Sequence, residues 1–545
     1  MGLDRISLSM WLFAALPLVL LLVGLLKLRW SAPRAGAIAW IAAMAVGAFV
    51  FGGNLFGLSL ANAKGASLTL FVVTIIWTSV FLYNIVDQSG AVKTISGRMS
   101  SLVVEPLLQC LLLAWCLSGF IQGITGFGVP VAIVAPLMFA VGFEPVTAAV
   151  ATLVGHAWSV TFGSMAGSFY ALQLVTKLPA RESAYWIGAM LLIPTVLTGF
   201  AVAHIYGGIP AMTRGAPAIL LTGVAMGLVQ WALPVIGAPQ IASVMAGLVG
   251  TIVLVVMSRL GLRRESALQA QRQGESSVVA GNGMPGAATR DGEPGRPIGF
   301  HAALAPYYLL IALALASQVS PLKHTGKMVA WGLDYPASST ALGFTVKAEK
   351  AYAAIGLISH PAPLLVASVI AAVVVYGLSR QLSLASLRNA WEVTARQCVP
   401  TTVSIATMVM MALVMNDTGM TSTLAGGIAP VAGKLFPLVS PYIGVLGCFM
   451  TGSNTNSNVL FGAFQVETAL ALGVSTRIMA AVQSAGGSLG SAIAPAKVLI
   501  GSTTVGLEGR EDMVMRKTIP YCMLLVLVLG VIAWLSLYVL FPQVL

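Results

Sequence analysis

A cluster of uncharged polar side chains interrupts apolar sequence towards the carboxyl end of the chain. The stretch TGSNTNSNVL, residues 451–460, lies between the apolar runs PYIGVLGCFM and FGAFQV. Hydroxyl and amide groups can donate hydrogen bonds to an anion, and their oxygens can coordinate a small cation. The candidate binding residues of this cluster are Ser453, Asn454, Thr455, Asn456, Ser457 and Asn458.

A second interruption, GITGFGVP, breaks the apolar region 106–142. Its candidate binding residues are Thr125, Gly126 and Gly128. Glycine lets a backbone approach a ligand closely. We expect helices to begin near Val129 and Ser457, where free N–H groups and partial positive charge favour an anion. The alternative is that both interruptions only cap helices and tighten packed turns.

Ionisable and amide side chains inside other apolar runs add further candidates. His156, in GHAWS, is either a proton carrier or a hydrogen-bonded packing residue. Asp417 is either a second ion-coupling residue or the cap of the next helix. Lys497 either binds a substrate carboxylate or extends to the membrane interface. Gln483 and Ser484 join the candidate site as the counterparts, in the second half, of polar residues near His156.

The composition excludes a water-soluble globular protein. Apolar residues make up 58% of the 545 residues, charged residues make up 8%, and the mean hydropathy is +0.91. A soluble domain carries about 25% charged residues. We therefore interpret the net charge of +12 as Lys and Arg in cytoplasmic loops, not as a nucleic-acid surface. The five cysteines have no CxxC spacing and predict neither a metal site nor a disulfide framework.

Membrane helices must position these residues. We predict an all-α integral membrane protein with about twelve transmembrane helices and two re-entrant helical hairpins, 106–142 and 440–472. The predicted spans are 8–26, 35–52, 67–86, 145–167, 185–206, 215–234, 238–258, 301–318, 361–378, 400–416, 476–502 and 519–540. The segment 421–437 is a further crossing or, in our interpretation, an interfacial helix.

Lys and Arg set the predicted orientation. No small-residue cleavage site closes the apolar run 8–26, so we expect a first transmembrane helix there and not a signal peptide. With the amino terminus outside, most basic residues fall in cytoplasmic loops, and Lys64 and Lys177 fall outside. This bias requires that the first hairpin opens to the cytoplasm and the second opens outside, with both termini periplasmic.

The halves of the chain resemble each other. The polar segment 263–300, rich in Gly, Ser and Pro, is predicted to be a flexible cytoplasmic linker between the halves 1–262 and 301–545. Each half has an apolar arm, a small polar tip, a second arm and then a helix interrupted by small residues, TFGSMAG or GGSLGS. Hairpins of opposite orientation make this an inverted repeat. Such repeats are typical of secondary transporters, whose sites lie near the membrane midplane.

Four longer stretches carry a family resemblance. They are GFIQGITGFGVPVAIVAP, MNDTGMTSTLA, KLFPLVSPYIGVLGCFMTGSNTNSNVLFGAFQ and TTVGLEGRE. They resemble the L-lactate permease family, strongly over 100–170 and 400–520. The resemblance implies proton-linked import of lactate, glycolate and related 2-hydroxy monocarboxylates across the bacterial inner membrane. It also implies paired hairpins and an elevator-type motion.

The chain departs from the family's motifs at three places. Gln122 and Asn454 stand where that family usually has acidic residues, and Lys497 lies where a Pro-Gln pair is usual. Two interpretations follow. The substrate is a different carboxylate, larger or more anionic, with Lys497 as its counter-charge, or the coupling ion is different.

These observations predict a secondary active transporter that imports a small organic carboxylate with protons. The alternative is cation-coupled transport of a different organic anion, or a channel, although a channel favours symmetric subunits around a pore. The sequence holds no HExxH motif, no GxSxG nucleophile elbow at a strand-to-helix turn and no paired intramembrane aspartates, so we predict no enzyme activity. The expected partners are the anion, a proton or sodium ion and the bilayer, with a homodimer as a candidate assembly, no nucleic acid, and neither metal nor cofactor.

Overall fold

The computed structural model is mostly helical. It describes residues 7–126, 128–272, 298–319, 329–358 and 360–542, and of 261–272 it describes the backbone only. The helices of the first half are α1 (Leu8–Leu26), α2 (Ala32–Phe49), α3 (Leu55–Gln88), α4 (Ala91–Ser100), α5 (Pro106–Ile124, with a π-helical turn at Leu112–Leu117), α6 (Val129–Ala140), α7 (Pro145–Gly155), α8 (Gly163–Thr176), α9 (Ala180–Ile236) and α10 (Ala242–Arg272). Those of the second half are α11 (Phe300–Ala316), α12 (Pro361–Leu378), α13 (Leu384–Asp417), α14 (Met420–Ala432), α15 (Phe436–Thr451), α16 (Asn454–Leu472), α17 (Thr476–Gly490), α18 (Pro495–Thr503) and α19 (Glu511–Leu535).

The helices are long and apolar enough for a multi-pass membrane protein. By length and composition, ten helices in the described ranges could cross a membrane, or up to eleven if the bent pair Pro145–Ser159 and Gly163–Thr176 is one span. The 57-residue helix α9 divides into two arms at Gly207 and Gly208, where the backbone leaves the helical region. The predicted multi-span class is confirmed, while the exact number of crossings stays a prediction.

The helices pack as two groups. The frame consists of α1–α4 and α11–α14, in which α13 packs along α2 and α3. The hairpin bundle consists of α5–α10 and α15–α19, in which the two halves of the chain meet where α9 packs on α17. The groups contact each other mainly where α16 lies against α13 and α14 and where α8 lies against α3. The hairpins of both halves therefore belong to one body.

Both predicted hairpins are present and open at opposite ends of α3. The first, α5–α6, opens where Gln109 Nε2 donates to the Ser100 carbonyl, beyond the carboxyl end of α3. The second, α15–α16, opens where Ser422 Oγ donates to Glu467. This contact lies close to the ion pair between Asp417 and Lys64, and Lys64 is in the amino-terminal part of α3. Their relative orientation is inverted, as the repeat predicts.

The glycines of GGSLGS do not form the break that the sequence predicts. Helix α17 continues through them to Gly490, and the chain leaves the helix only at 491–494. A Cβ at Gly486 would collide with the Pro441 carbonyl, and one at Gly490 would lie 2.6 Å from Val445 Cα. These glycines instead let α15 and α17 pack with their backbones in contact.

Two small sheets correct the all-α prediction. The strands are β1 (Ala330–Tyr335), β2 (Ser338–Ser339), β3 (Thr345–Val346) and β4 (Glu349–Gly356). β1 pairs antiparallel with β4, and β2 with β3. Tyr335 Oη donates to the Ala63 carbonyl, and Ala341 N–H donates to the Gly52 carbonyl. The sheets thus cover the junction of α2 and α3, and we refer to this end of the protein as the sheet end.

Two further segments differ from the prediction or remain open. Helix α10 continues to Arg272, so the first ten residues of the predicted flexible linker 263–300 are helical; most of the rest lies outside the described residues. The segment 421–437 contains most of the 13-residue helix α14, a short 3-10 turn and the start of α15. Whether this segment lies at the membrane interface stays a prediction.

Candidate functional site

A cavity of about 230 Å³ lies between the frame and the second hairpin. Its lining residues are Ala32, Pro33, Pro400, Thr401, Ser404, Thr451, Gly452, Ser453, Asn456, Ala496, Lys497 and Ile500. Pro400 and Ala496 are exposed, so the cavity reaches the surface there. It lies at the amino end of α2, whereas the carboxyl end of α2 faces the sheet end. The cavity is therefore on the side of the basic loop between α1 and α2.

Three helices begin at the cavity. Ala32 and Pro33 form the first turn of α2, Ser453 is the N-cap of α16, and Ala496 and Lys497 lie in the first turn of α18. The first N–H groups of a helix lack intrahelical acceptors and carry partial positive charge. None of the described lining residues is acidic. These helix starts favour an anion, whereas the carbonyl end of α15, which lies at the cavity at Thr451, opposes one.

Lys497 is the charged residue of this site. Its side chain is buried, with 4% of its surface exposed. Nζ donates to Ser491 Oγ at 2.6 Å and lies 3.3 Å from His156 Nε2. In the part of the chain that the structure describes, no Asp or Glu forms an ion pair with it. The amine of Lys497 is therefore buried beside the cavity with uncharged partners.

His156 is fixed in one tautomer by its hydrogen bonds. It is fully buried at the end of α7, and Nδ1 lies 2.9 Å from the Thr152 carbonyl, which can only accept. Nδ1 therefore carries the proton, and the lone pair on Nε2 faces Lys497 and Ser491 Oγ, 3.2 Å away. The sequence predicted a candidate His but not that it contacts Lys497.

The tip of the first hairpin approaches Lys497 through glycine. Gly128 has a φ of 83°, and a Cβ there would lie 3.8 Å from Lys497 Cγ. Gly126 also has positive φ, and the Thr125 carbonyl accepts from Ser164 Oγ at 3.2 Å. Thr125 and Gly126 do not line the cavity. Of the three predicted tip residues, only Gly128 lies against the buried lysine.

Helix α16 is anchored to the first half of the chain through two amides. Helix α16 begins at Asn454, three residues before the predicted start at Ser457. Asn454 Nδ2 donates to Thr161 Oγ1 and to the Ser484 carbonyl, both at 3.2 Å. Asn458 Nδ2 donates to the Ser168 carbonyl and to Ser484 Oγ, both at 2.9 Å. Ser484, a predicted site residue, therefore joins both amides.

The break that receives these hydrogen bonds is strained. Between α7 and the regular part of α8, Ser164, Met165 and Ala166 have φ of 48°, 54° and 62°. Left-handed backbone costs about 1–2 kcal/mol for each residue with a Cβ. Strain of this kind persists where surrounding contacts over-determine it, and it concentrates at functional sites. The predicted break TFGSMAG is thus present as a left-handed turn.

Several buried amide oxygens have no partner. Oδ1 of Asn454, Asn456 and Asn458 and Oε1 of Gln122 accept no hydrogen bond from the described residues. Leaving a buried acceptor unsatisfied costs about 1–3 kcal/mol. Asn456 lines the cavity, and its Nδ2 donates to Ser404 Oγ at 3.3 Å. Its free oxygen can accept from a ligand or contribute to a cation site.

Other predicted binding residues bond within the hairpin bundle. Gln483 Nε2 donates to Ser457 Oγ at 3.1 Å, and Gln465 Nε2 donates to Gln483 Oε1 at 3.1 Å. Ser457 Oγ in turn donates to the Gly444 carbonyl at 2.8 Å. The Thr455 hydroxyl lies 3.0 Å from Ser168 Oγ. These groups hold α15, α16, α17 and α8 together.

Asp417 lies away from this cluster. Its Oδ2 accepts from Lys64 Nζ at 3.2 Å, in the frame. The prediction that Asp417 caps the next helix is wrong, because Gly419 is the N-cap of α14 and no side chain caps it. Lys64, predicted to lie in an outside loop, is instead inside α3. Lys64 and Asp417 are 353 positions apart, so no local sequence pattern indicates that they pair.

The sequence also missed polar residues that line or support the cavity. They are Thr401, Ser404, Thr451, Thr161, Ser168 and Ser491. Thr401 and Ser404 stand at the start of the predicted span 400–416, where the hydroxyls of TTVS are a detectable but weak signal. Ser491 is the last residue of GGSLGS, which was read only as a break.

Fold and site together define a class of protein. Two inverted helical hairpins from the two halves, with a small polar cavity at a hairpin tip, describe a multi-pass membrane transporter. The sequence model of the L-lactate permease family matches residues 10–540, and the chain belongs to this family. The resemblance noted in the sequence is thereby confirmed.

Individual relatives are similar over most of their length. The L-lactate permease of Bacillus subtilis (strain 168) is 28% identical, with 85% of this chain and 84% of the relative covered. The L-lactate permease of Escherichia coli (strain K12) is 27% identical and the glycolate permease of that strain is 26% identical, each with 97% and 96% covered. A solved transporter from Alcanivorax borkumensis is 15% identical, with 88% of each chain covered and a TM-score of 0.47.

Proposed function

We propose that this protein is a secondary active transporter that imports a 2-hydroxy monocarboxylate, such as lactate or glycolate, together with protons. The relatives named above are L-lactate and glycolate permeases. The observation that carries the proposal is Lys497, a buried ammonium without an acidic partner among the described residues, at a cavity where three helices begin. A buried charge is stable only when it is paired, and a substrate carboxylate supplies the pair.

The size of the cavity favours a small substrate. Its volume of about 230 Å³ lies below the ~300–1,000 Å³ that is typical of sites for drug-sized ligands. One carboxylate can contact Lys497 and the first N–H groups of α16, while a hydroxyl group can bond to Ser404 or Asn456. Lys497 is one fixed positive charge, which suits a monocarboxylate better than a dicarboxylate.

The transport movement is proposed to be a displacement of the hairpin bundle against the frame. The cavity lies at the border between these groups, with Ser404 from the frame and Asn456 from the bundle. On the predicted orientation this side is cytoplasmic, so the cavity corresponds to an inward-facing state. The protein is proposed to reside in a bacterial plasma membrane with both termini periplasmic.

A second candidate is cation-coupled transport of an organic anion. The unpartnered oxygens of Asn454, Asn456, Asn458 and Gln122 favour it, because amide oxygens are ligands for hard cations such as sodium. The two candidates differ in the coupling ion, not in the anion site.

Reconstituted protein tests both candidates. Proteoliposomes are supplied with labelled lactate, glycolate and a dicarboxylate under a pH gradient alone or a sodium gradient alone. We expect saturable accumulation of the 2-hydroxy monocarboxylates under the pH gradient. Accumulation only under the sodium gradient selects the second candidate, and no accumulation of any carboxylate under either gradient overturns the proposal.

A further inference from the structure

We propose that Lys497 carries the coupling proton, so that one side chain both binds the carboxylate and links its transport to protons. This inference rests on the proposed function, since it concerns the same site. It assigns proton coupling to the amine at the anion site, whereas the sequence favours His156 and Asp417 as the ion-coupling residues.

The groups that face Lys497 come from several elements and include no acid. His156 faces it from the end of α7 and Ser491 from the turn before α18. Gly128 approaches it from the first hairpin, and the thiol of Cys448 lies near it on α15. Of these, only His156 and Cys448 are titratable, while the bundle carboxylates Glu182 and Glu467 pair with Arg477 and Ser422 instead.

The charge of the site explains why the proton must move with the substrate. A charged ammonium in an empty, closing site lacks a partner, and the penalty for a buried uncompensated charge is several kcal/mol. With the carboxylate bound, ammonium and substrate form a neutral pair. When the substrate leaves, Lys497 gives a proton to water and becomes a neutral amine. The binding site is then neutral both with and without substrate. The hairpin bundle can therefore move across the membrane in either form.

His156 acts as a positioning residue. Because the Thr152 carbonyl holds the proton on Nδ1, the Nε2 lone pair accepts from the Lys497 ammonium, 3.3 Å away. This bond stabilises the charged amine and aims it, together with Ser491, past the tip of α16. Loss of the acceptor makes the ammonium less stable, so protonation then needs a lower pH.

The inference predicts the stoichiometry and the charge of transport. One proton enters with each monocarboxylate, and the cycle moves no net charge. In proteoliposomes of the wild-type protein, a pH gradient drives accumulation, and a membrane potential at equal pH does not. Uptake driven by the potential alone, or two protons for each lactate, overturns the inference while leaving carboxylate transport in place.

Two substitutions separate binding from coupling. Lys497→Arg keeps a permanent positive charge, so we expect it to exchange internal for external lactate. The rate should be within about tenfold of the wild-type rate, because the side chains of arginine and lysine differ in geometry. Net accumulation under a pH gradient falls to the background of Lys497→Gln, because the empty site cannot become neutral. Lys497→Gln loses both exchange and accumulation.

The pH profile tests His156. His156→Leu removes the acceptor, and the midpoint pH of accumulation moves to lower pH while the protein folds and exchanges lactate. If Lys497→Arg accumulates lactate against a gradient, or if His156→Leu leaves the midpoint in place, the coupling role assigned here is wrong. If the wild-type protein transports no carboxylate, the proposed function fails first.

Discussion

Two buried lysines of this protein differ in their partners. Lys64 in the frame is 2% exposed, and Lys497 in the hairpin bundle is 4% exposed. Lys64 Nζ lies 3.2 Å from Asp417 Oδ2 and 3.8 Å from Glu349 Oε2. Lys497 contacts a hydroxyl and a neutral imidazole.

The difference shows that the burial of a lysine does not by itself indicate whether it serves folding or ligand binding. Lys64 joins α3 to the end of α13 and to β4, so its charge is compensated inside the protein and holds two frame helices and a strand of the sheet end together. Lys497 has a cavity beside it and no compensating charge among the described residues. The first lysine serves the fold, and the second is left for a ligand.

The largest expected effect is a loss of uptake without a loss of stability. Lys497→Gln should reduce carboxylate uptake by at least about 100-fold. This factor corresponds to about 2.7 kcal/mol, as expected for the loss of a buried charged contact. Its thermal stability should be unchanged or higher, because no partner charge is stranded. Uptake in proteoliposomes and a thermal unfolding assay in detergent measure the two effects. Uptake within tenfold of wild type would exclude Lys497 from the anion site.

The matched substitution of the buried lysine in the frame should have the opposite effect, a loss of stability. Lys64→Met strands the Asp417 carboxylate and should destabilise the protein by about 3–5 kcal/mol. The double variant Lys64→Met/Asp417→Leu replaces the pair by apolar side chains and should recover most of that loss. Thermal unfolding of the three proteins is the measurement. If the double variant is as unstable as Lys64→Met and inactive when folded, Asp417 has a role in coupling after all.

Two asparagines extend the comparison to amides. Asn454→Ala removes the hydrogen bonds to Thr161 and Ser484 and should lower uptake about tenfold, or 1.4 kcal/mol. Asn62→Ala is the control, because Asn62 bonds to Trp40 and the Leu58 carbonyl within the frame. Both variants should lose a similar amount of stability. Equal uptake by the two variants would remove the tip of the second hairpin from the site.

The smallest effect concerns the outer end of the Lys64 cluster. Lys177 pairs with Glu349 but is 45% exposed, so Lys177→Ala should cost at most about 1 kcal/mol and decline further in high salt. Lys64→Met at the buried end serves as the reference. A loss above 3 kcal/mol for Lys177→Ala would show that the whole cluster, not the buried pair alone, stabilises the protein.

The sequence predicted the parts of the site that leave a local pattern. Polar residues inside an apolar run gave the tip around Asn454, and glycines gave the tip near Gly128. The pattern could not predict contacts between distant segments. His156 and Lys497 are 341 positions apart, and Asn454 and Thr161 are 293 apart. His156, Lys497 and Asn454 are candidates from the sequence, but neither contact is predicted by it.

The same limit explains the errors. In GGSLGS, glycine signals both a broken helix and a close helix contact, and composition does not separate them. Asp417 before a short turn is typical of a helix cap, and the sequence gives no sign of its partner, Lys64, because that residue lies in the other half of the chain. The β-strands of 330–356 are short and lie in a segment whose alternation is weak.

The backbone contact between α15 and α17 also affects how motion in this protein can be observed. Gly444, Gly486 and Gly490 leave no space for water or side chains between these helices. Their amide protons should therefore resist deuterium exchange in every transport state, as in tightly packed cores. Exchange that responds to lactate should appear at the border of α16 with α13 and α14. A labelling map of the cycle would then trace that border and leave the contact between α15 and α17 unlabelled.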